Sequence, residues 1–465
     1  MKTKIPSVNY HLTKNCNMKC KFCYATFKDI SEIRIDLKKS KAIIEQLAMY
    51  GFKKITFAGG EPTMIKGLDE LMKYAKEKGM ITCLVTNGSR LLNQDYCDKI
   101  FPYTDWLTLS IDSVNDQTNI ESGRTLKGNV SLTKINYLKI IDSAKRFSIR
   151  VKINTVVNQW NKEEDLNSFL VAAQPERWKI LQAILVKGQN SNHTGEFEIN
   201  QAEFNSFISR HQKLTNLIDL IPEEEELIRG SYIMISPDGR FFDSTNGSHQ
   251  YSMPILEVGI EQALDQISVS YSKFLKRGGL YNYSKQSDLP KKITLSGGVA
   301  SGKTTIGKLL AKVLGYKFVS LGEETRSIAA SQGIGILELQ NERVKNPNID
   351  IEIDALFSKA CNQESEIVID YRMGFKFINN SFNILLRISE DAATKRLIEA
   401  SRLKESYSTV SKRNNLMTSH FFNLYQINFL DAAHYHLTID VEKFHSPEEI
   451  IYFILEQMNS LTLNK

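Results

Sequence analysis

Three cysteines fall within eight positions, in the pattern Cys16-x3-Cys20-x2-Cys23. Thiolates so spaced on one short loop can hold three corners of a cubane iron–sulfur cluster and leave its fourth iron open to a small molecule. A tetrahedral zinc ion would need a fourth Cys or His nearby, and His11 is the nearest candidate. Cys83, Cys97 and Cys361 stand singly and read as buried apolar residues. A second constellation lies far along the chain. Gly297-x4-Gly302-Lys303-Thr304 is a complete phosphate loop. In such a loop the backbone from Gly297 through Gly298, Val299, Ala300, Ser301 and Gly302 curls amides around the phosphates. Lys303 reaches the β/γ oxygens, Thr304 ligates Mg2+, and Thr305 opens the helix behind; a nucleotide is the expected ligand.

Both constellations need scaffolds to present them. Apolar strand runs at Val8–Leu12, Ile55–Ala58, Ile81–Thr86, Leu107–Ile111, Arg150–Thr155 and Ile180–Val186 alternate with helix-period segments. The helical segments are Lys39–Tyr50, Leu68–Lys78, Leu132–Arg146 and Glu163–Ala173. That alternation predicts a parallel sheet covered by helices. Six such units make a partial (β/α)6 barrel of the TIM-like kind, with chemistry at the C-terminal strand ends, where the cysteine loop lies. Ile199–Arg210 reads as a helix, and Glu223–Glu226 as a solvated loop or helix start. Ile235–Phe241, centred on Pro237-Asp238-Gly239, reads as strand, turn and strand. The polar stretch from Ser284 to Lys292 is the best linker. Behind it, strand Ile293–Leu295, the phosphate loop and helix Thr305–Leu314 open a separate α/β domain. The expected division is residues 1–285, a linker over 286–292, and 293–465.

Composition sets the outer limits. At 465 residues, 42% hydrophobic and 24% charged, the sequence is that of a globular protein of two or three domains. Six cysteines are too few for a disulfide scaffold. A net charge of +6 suits phosphorylated small molecules and does not argue for direct nucleic-acid binding. No apolar run is long enough to span a membrane, and the first residues lack an apolar signal core. The expected location is the cytoplasm, away from any membrane.

The cysteine spacing after the first strand resembles the radical S-adenosylmethionine superfamily. Gly59-Gly60-Glu61-Pro62, behind the second strand, stands where that superfamily places its contact to the methionine amino group. Glycines there admit close backbone approach, and a carboxylate can pair with an ammonium. Within the superfamily, Asn9-Tyr10-His11, Lys152-Ile153-Asn154, Glu163-Glu164-Asp165, Arg177-Trp178-Lys179 and Phe274-Leu275-Lys276-Arg277-Gly278-Gly279 resemble viperin-like enzymes. They come in that family's order over roughly residues 8 to 285. The resemblance implies a radical S-adenosylmethionine barrel in which a 5′-deoxyadenosyl radical takes the C4′ hydrogen of a ribonucleoside triphosphate. Water is then lost, leaving a 3′-deoxy-3′,4′-didehydro nucleotide, a chain terminator of antiviral type.

The same resemblance implies site residues. Cys16, Cys20 and Cys23 would ligate a [4Fe-4S] cluster. Gly59, Gly60, Glu61, Asn87, Ser110 and Arg124 would bind S-adenosylmethionine. Lys54, Lys152, Asn154, Arg177 and Lys179 match nucleotide contacts, and Tyr232 matches a tyrosine that relays the quenching hydrogen or proton. Cations on several strands of one barrel can converge on one polyanion. Thr56 stands where animal viperins place an asparagine, so both CTP and UTP remain candidate substrates. Animal viperins begin with a membrane-binding amphipathic helix for which this sequence has no room, so the shorter prokaryotic type is the expectation. An electron donor such as a flavodoxin or ferredoxin is the implied partner.

Residues 291 to 458 resemble cytidylate kinases. Arg326, in Gly322-Glu323-Glu324-Thr325-Arg326, and Arg372, after strand Ile367–Ile369, match arginines that grip a nucleoside monophosphate. Arg396, Arg402 and Arg413 fall in or near an arginine-rich lid suited to the charge of a transferred phosphoryl group. The departures are Tyr371 for a glycine, Asn414 for an acid, and His420-Phe421 for an Arg-Tyr pair. The whole reads as a didehydro-nucleotide synthase fused to a pyrimidine nucleoside monophosphate kinase that uses ATP with Mg2+. Two alternatives stay open: a phosphate-loop half that binds nucleotide only to regulate, and a radical enzyme that modifies peptide or RNA.

Overall fold

The chain is described from a computed structural model over residues 5–31, 34, 36–281, 283, 289–324, 347–399 and 407–462. It divides into two compact units, Met1–Gly279 and Leu280–Lys465. In the first, ten strands form one sheet: β1 (Ser7–His11), β2 (Lys54–Ala58), β3 (Ile81–Thr86), β4 (Trp106–Ser110), β5 (Arg150–Val157), β6 (Arg177–Gln182), β7 (Asp219–Glu223), β8 (Met234–Ile235), β9 (Arg240–Asp243) and β10 (Gln250–Pro254). Their order is β10-β9-β8-β1-β2-β3-β4-β5-β6-β7. From β8 across to β7 all neighbours are parallel; β9 and β10 add an antiparallel margin. The sheet has two edges and so forms the partial α/β barrel expected.

Local chemistry explains the covering helices. Asp36 caps Leu37–Tyr50 by accepting from Lys39 N–H, and Gly51, at φ +107°, ends it. Its buried stripe, Ser40, Ile43, Ile44 and Leu47, has helical spacing. Capping boxes open Lys134–Arg146 (Thr133 with Asn136) and Gln201–His211 (Asn200 with Glu203). β2 is buried along its whole length, as a parallel strand covered on both faces must be.

Three expectations are corrected. The helix expected over Glu163–Ala173 starts at Asn167, because the acids before it are used by turns. Glu164 accepts from Val114 N–H at 3.0 Å and Asp165 from Asn167 N–H at 2.7 Å. The strand expected over Ile180–Val186 is β6, Arg177–Gln182, so Arg177 and Lys179 lie within it. Beyond it, Asn190 turns the chain by accepting from Val186 N–H and donating to Ile184 O. The acidic run is not wholly solvated. Glu223 ends β7 and is fully buried, while Glu225–Ile228 form a short helix. Met234–Ile235 and Arg240–Asp243 form the expected strand, turn and strand.

The second unit has five parallel strands: β11 (Lys292–Gly297), β12 (Lys317–Ser320), β13 (Ile367–Asp370), β14 (Phe382–Arg387) and β15 (Leu437–Asp440). They run in the order β12-β13-β11-β14-β15. Helices Lys303–Leu314 and Pro447–Thr462 pack an apolar core against the sheet, including Ile306, Leu310, Ile451 and Ile454. Central β11 feeds the phosphate loop into helix Lys303–Leu314, the strand–loop–helix setting such a loop requires.

Candidate functional site

In the first unit the cysteine loop leaves β1 at the C-terminal edge of the sheet. Backbone pairing locks it to the glycine loop behind β2: Gly60 N–H donates to Thr13 O at 2.6 Å and Glu61 N–H to Asn15 O at 2.8 Å. A Cβ on Gly60 would overlap the Asn15 carbonyl, and one on Gly59 (φ +151°) would sit 2.7 Å from Thr13 O. These glycines therefore admit the cysteine loop itself. Glu61, expected as a partner for an ammonium, is turned inward. It accepts from Thr63 N–H (3.1 Å), Thr63 Oγ1 (2.6 Å), Thr86 Oγ1 (2.7 Å) and Asn87 N–H (2.8 Å). With so many internal donors, it braces β2 against β3. Burial nevertheless raises its pKa.

Asn87 carries that brace to the cysteine loop, donating to Asn17 Oδ1 at 2.8 Å. Arg124 is buried, donates to the Ser110 carbonyl at the end of β4, and lies 3.7 Å from Cys20 Sγ. The three cysteines, Gly59, Gly60, Glu61, Asn87, Ser110 and Arg124 thus meet at one rim of the sheet. Burial pushes the Cys20 thiol up to about 12, Arg124 opposes it, and Cys23, Asp112 and Cys16 push the same way as burial. Such thiols become ligands when a bound metal displaces their protons to solvent, and the donor set and its shared loop fit an iron–sulfur cluster. Among the described residues, no three His, Cys, Asp or Glu side chains converge as closely as one bound metal ion requires. His11 completes no such set. It packs edge-on against Phe27 and Phe242, at 5.2 and 5.5 Å between ring centroids.

Below this rim lie the cations. Registers pair Thr108 with Lys152, Lys152 with Arg177, and Asn154 with Lys179, so these residues share one face of neighbouring strands. Lys54 lies on β2 and Lys152, Arg177 and Lys179 on β5 and β6; all four are buried. Arg177 pairs with Asp219 at 2.8 Å and donates to Gly278 O at 3.0 Å. The side-chain oxygen of Asn154 is buried without a hydrogen-bond partner. Burial lowers the Lys179 ammonium to about 7, against the pull of Glu223.

Two residues were missed in the sequence. Glu223 accepts from Tyr232 Oη and pairs with Lys179, whose Nζ is 2.6 Å from Tyr232 Oη. Arg277 lies 3.6 Å from the Tyr232 ring centroid and 3.7 Å from Glu223 Oε1. Burial drives the Tyr232 phenol far above its ordinary pKa. Burial would also raise Glu223, but Lys179 and Arg277 together hold it below the usual range, as a carboxylate. Glu223 was hidden because an acidic run ordinarily faces water. Arg277 lay within the quoted Phe274–Gly279 block without a role.

In the second unit, Lys303 donates to the carbonyls of Gly297 and Gly298, both at 2.9 Å. Its ammonium is lowered to about 7 by burial and by Arg372, with Asp370 opposing. Thr304 Oγ1 donates to Asp370 Oδ2 at 2.7 Å. Asp370, at the end of β13, is a further functional candidate, and an acid closing a strand beside the loop was its available signal. Arg372 has a buried Nε without a hydrogen-bond partner; burial lowers its pKa, Asp370 opposes, and Arg413 adds repulsion. Ala300, Ser301 and Gly302 of the loop and Thr305 of the helix line a cavity of about 520 Å3 together with Arg396, Phe444 and His445, while Gly298 and Val299 begin the loop outside it. Tyr371 is buried against Phe357 and Phe377. Arg326 and Arg402 lie outside the described residues. Cys83, Cys97 and Cys361 are buried, as expected. No helix among the described residues is long and apolar enough to cross a membrane.

Comparison with known proteins bears on both units. Residues 10–170 match the Radical SAM superfamily and residues 292–443 the cytidylate kinase-like family. A protein of Flammeovirga pacifica, named S-adenosylmethionine-dependent nucleotide dehydratase, is 45% identical over 284 residues, which cover 60% of this chain and 96% of that one. A protein of the same name from Lacinutrix mariniflava is 44% identical over 296 residues, 62% of this chain; the match spans 61% of that relative's length. The Danio rerio protein S-adenosylmethionine-dependent nucleotide dehydratase RSAD2 is 34% identical, covering 60% of this chain and 78% of its own. Among solved structures, anSMEcpe with bound AdoMet is similar with a TM-score of 0.44 at 12% identity, covering 56% of this chain and 80% of its own. Shikimate kinase from Acinetobacter baumannii is similar with a TM-score of 0.28 at 17% identity, covering 37% of this chain and 93% of its own. With a relative matched over nearly its whole length at 45% identity, and with the cysteine loop and glycine loop locked together at one rim, the chain belongs to the S-adenosylmethionine-dependent nucleotide dehydratase family, the viperin-like radical enzymes.

Proposed function

We propose that the first unit dehydrates a ribonucleoside triphosphate to its 3′-deoxy-3′,4′-didehydro analogue. The observation that carries this reading is the buried set of Lys54, Lys152, Arg177 and Lys179, next to the unpartnered oxygen of Asn154 and to Tyr232. Cations carried on neighbouring strands can converge on one polyanion, and a triphosphate is such an anion. Cys16, Cys20 and Cys23 would hold a [4Fe-4S] cluster with S-adenosylmethionine beside it, and the pair would supply a carbon radical for the ribose C4′ hydrogen. The chain's own residues do the rest. The cations fix the triphosphate, Asn154 accepts from a ribose hydroxyl, and Gly59, Gly60, Asn87, Ser110 and Arg124 shape the methionine site. Tyr232 holds a proton, steered by Glu223, for the departing 3′ hydroxyl, which leaves as water. A donor such as a flavodoxin or ferredoxin would supply both electrons of the turnover, one for the reductive cleavage of S-adenosylmethionine and one for the substrate radical once water has left. Thr56, buried in register between Asn9 and Cys83, is the residue we assign to base choice between CTP and UTP.

The second unit, in this reading, binds ATP with Mg2+ through Gly297–Thr305, with Thr304 and Asp370 at the metal, and phosphorylates a pyrimidine monophosphate held by Arg326 and Arg372. Two measurements test the proposal. Mass spectrometry of anaerobic, reduced reactions is expected to find loss of water from CTP or UTP. Intact triphosphates alongside vigorous cofactor cleavage would overturn it. CMP or UMP with ATP is expected to yield diphosphate, and Lys303→Ala to lower the rate at least a hundredfold, of the order seen when a transition-state charge contact is removed. ATP binding without turnover would instead make the second unit a nucleotide sensor.

A further inference from the structure

The segment that carries Arg124 is stapled to the cysteine loop by backbone. Lys19 N–H donates to Gly123 O at 3.2 Å and Lys21 N–H to Ser122 O at 2.9 Å. Gly123, at φ +76°, is the point of contact, and a Cβ there would overlap the Lys19 carbonyl. Only glycine lets the two segments approach this closely. The staple delivers the Arg124 guanidinium to Cys20, with Nη1 3.7 Å from Sγ, within reach of an N–H···S hydrogen bond. The same Nη1 pairs with Asp112 Oδ2 at 2.8 Å. Asp112 is held in place in turn, accepting from Val156 N–H at 2.7 Å. Arginine, aspartate and the Cys20 thiol are thus locked together, and both charges are buried.

Hydrogen bonds and charges at the ligand sulfurs are among the chief determinants of an iron–sulfur cluster's potential. A cation at a ligand sulfur stabilises the reduced, more negative cluster and raises the potential; a buried site leaves that effect largely unscreened. Asp112 cancels part of it. We infer that Arg124 and Asp112 together set the reduction potential of the cluster held by Cys16, Cys20 and Cys23, through the Arg124–Cys20 contact. This rests on the cluster proposed above. The step concerned is a single-electron reduction by an external low-potential donor, with no bond made or broken. Arg124 acts here as a positioning charge, apart from any contact with S-adenosylmethionine.

The test is a redox titration of the full-length, reconstituted protein, followed by electron paramagnetic resonance without S-adenosylmethionine, so that methionine binding contributes nothing. Arg124→Gln is expected to lower the midpoint, cutting the reduced-to-oxidised ratio at a fixed potential about tenfold, equivalent to about 59 mV. Asp112→Asn leaves the guanidinium uncompensated and is expected to shift the midpoint upward. Identical midpoints in the three proteins would overturn the inference, as would a shift seen only with S-adenosylmethionine present. If Arg124→Gln does not retain its cluster, Asp112→Asn decides alone, an upward shift supporting the inference and an unchanged midpoint refuting it. Iron and sulfide are counted first: a parent protein that assembles no cluster overturns the proposed function itself, and the inference with it.

Discussion

Lys179 shows how far a side chain's chemistry depends on what surrounds it. In the sequence it is one strand lysine among several; in the fold it is buried between Glu223, Tyr232, Arg277 and Lys152. With its pKa lowered to about 7, it carries a proton below that pH and loses it above. If the ammonium grips triphosphate, kcat/KM for the nucleotide falls as pH rises through about 7, because that ratio reports the free enzyme. Lys179→Arg, whose guanidinium stays charged, is expected to move the fall to much higher pH. A profile identical in both proteins would remove Lys179 from the binding set. Glu223 carries the complementary lesson: acids in a run are solvated until cations converge on one of them.

At the scale of elements, the glycine loop behind β2 deserves its own experiment, because its role differs from the one its residues first imply. The expected role was close approach to a ligand, yet what comes close is the backbone of Thr13–Asn15. Gly60→Ala would force the cysteine loop away from β2. We expect it to reduce iron loading severely and to cost about 1–3 kcal/mol of stability, the usual range for an overpacked contact. Full iron content with an unchanged unfolding midpoint would show that the loop adapts. Apolar periodicity made β1 to β6 and their covering helices legible, with most boundaries close to expectation, while β7, β10, β12, β14 and β15 were not read from the sequence. Shifted boundaries had local causes invisible to periodicity, such as Asn190 turning the chain beyond β6 and the acids Glu164 and Asp165 delaying helix Asn167–Ala173.

For the molecule as a whole, acid is the expected weak point of the first unit. His11 and His249 sit among Phe27, Phe242 and Tyr251 beside the cysteine loop. Burial holds their pKa values at about 3 and about 4. In the unfolded chain both titrate near 6.5, so below that pH the unfolded state takes up protons that the folded state refuses. Stability is therefore lost as pH falls from about 6.5 towards 4, by about 2 kcal/mol per histidine at pH 5. Urea unfolding at pH 7.5 and pH 5.0 checks this. The loss between the two is expected to be about 2 kcal/mol smaller in His11→Phe than in the parent. An equal loss in both would contradict it.

The sequence alone determined the chemistry on offer: three thiolates on one short loop, a phosphate loop between a strand and a helix, and an α/β alternation able to carry both. Those are local properties, set by residues close in the chain and by 3.6- and 2-residue periods. Tertiary structure decided what each group could do, because burial and neighbouring charges come from segments distant in sequence. Glu61 became a brace through Thr63, Thr86 and Asn87. Glu223 became the buried partner of Lys179 and Tyr232, and Arg124 met Cys20 only because Gly123 lies against Lys19. Charge and hydrogen bonding act through space, and no local pattern encodes which distant side chains will share one low-dielectric site.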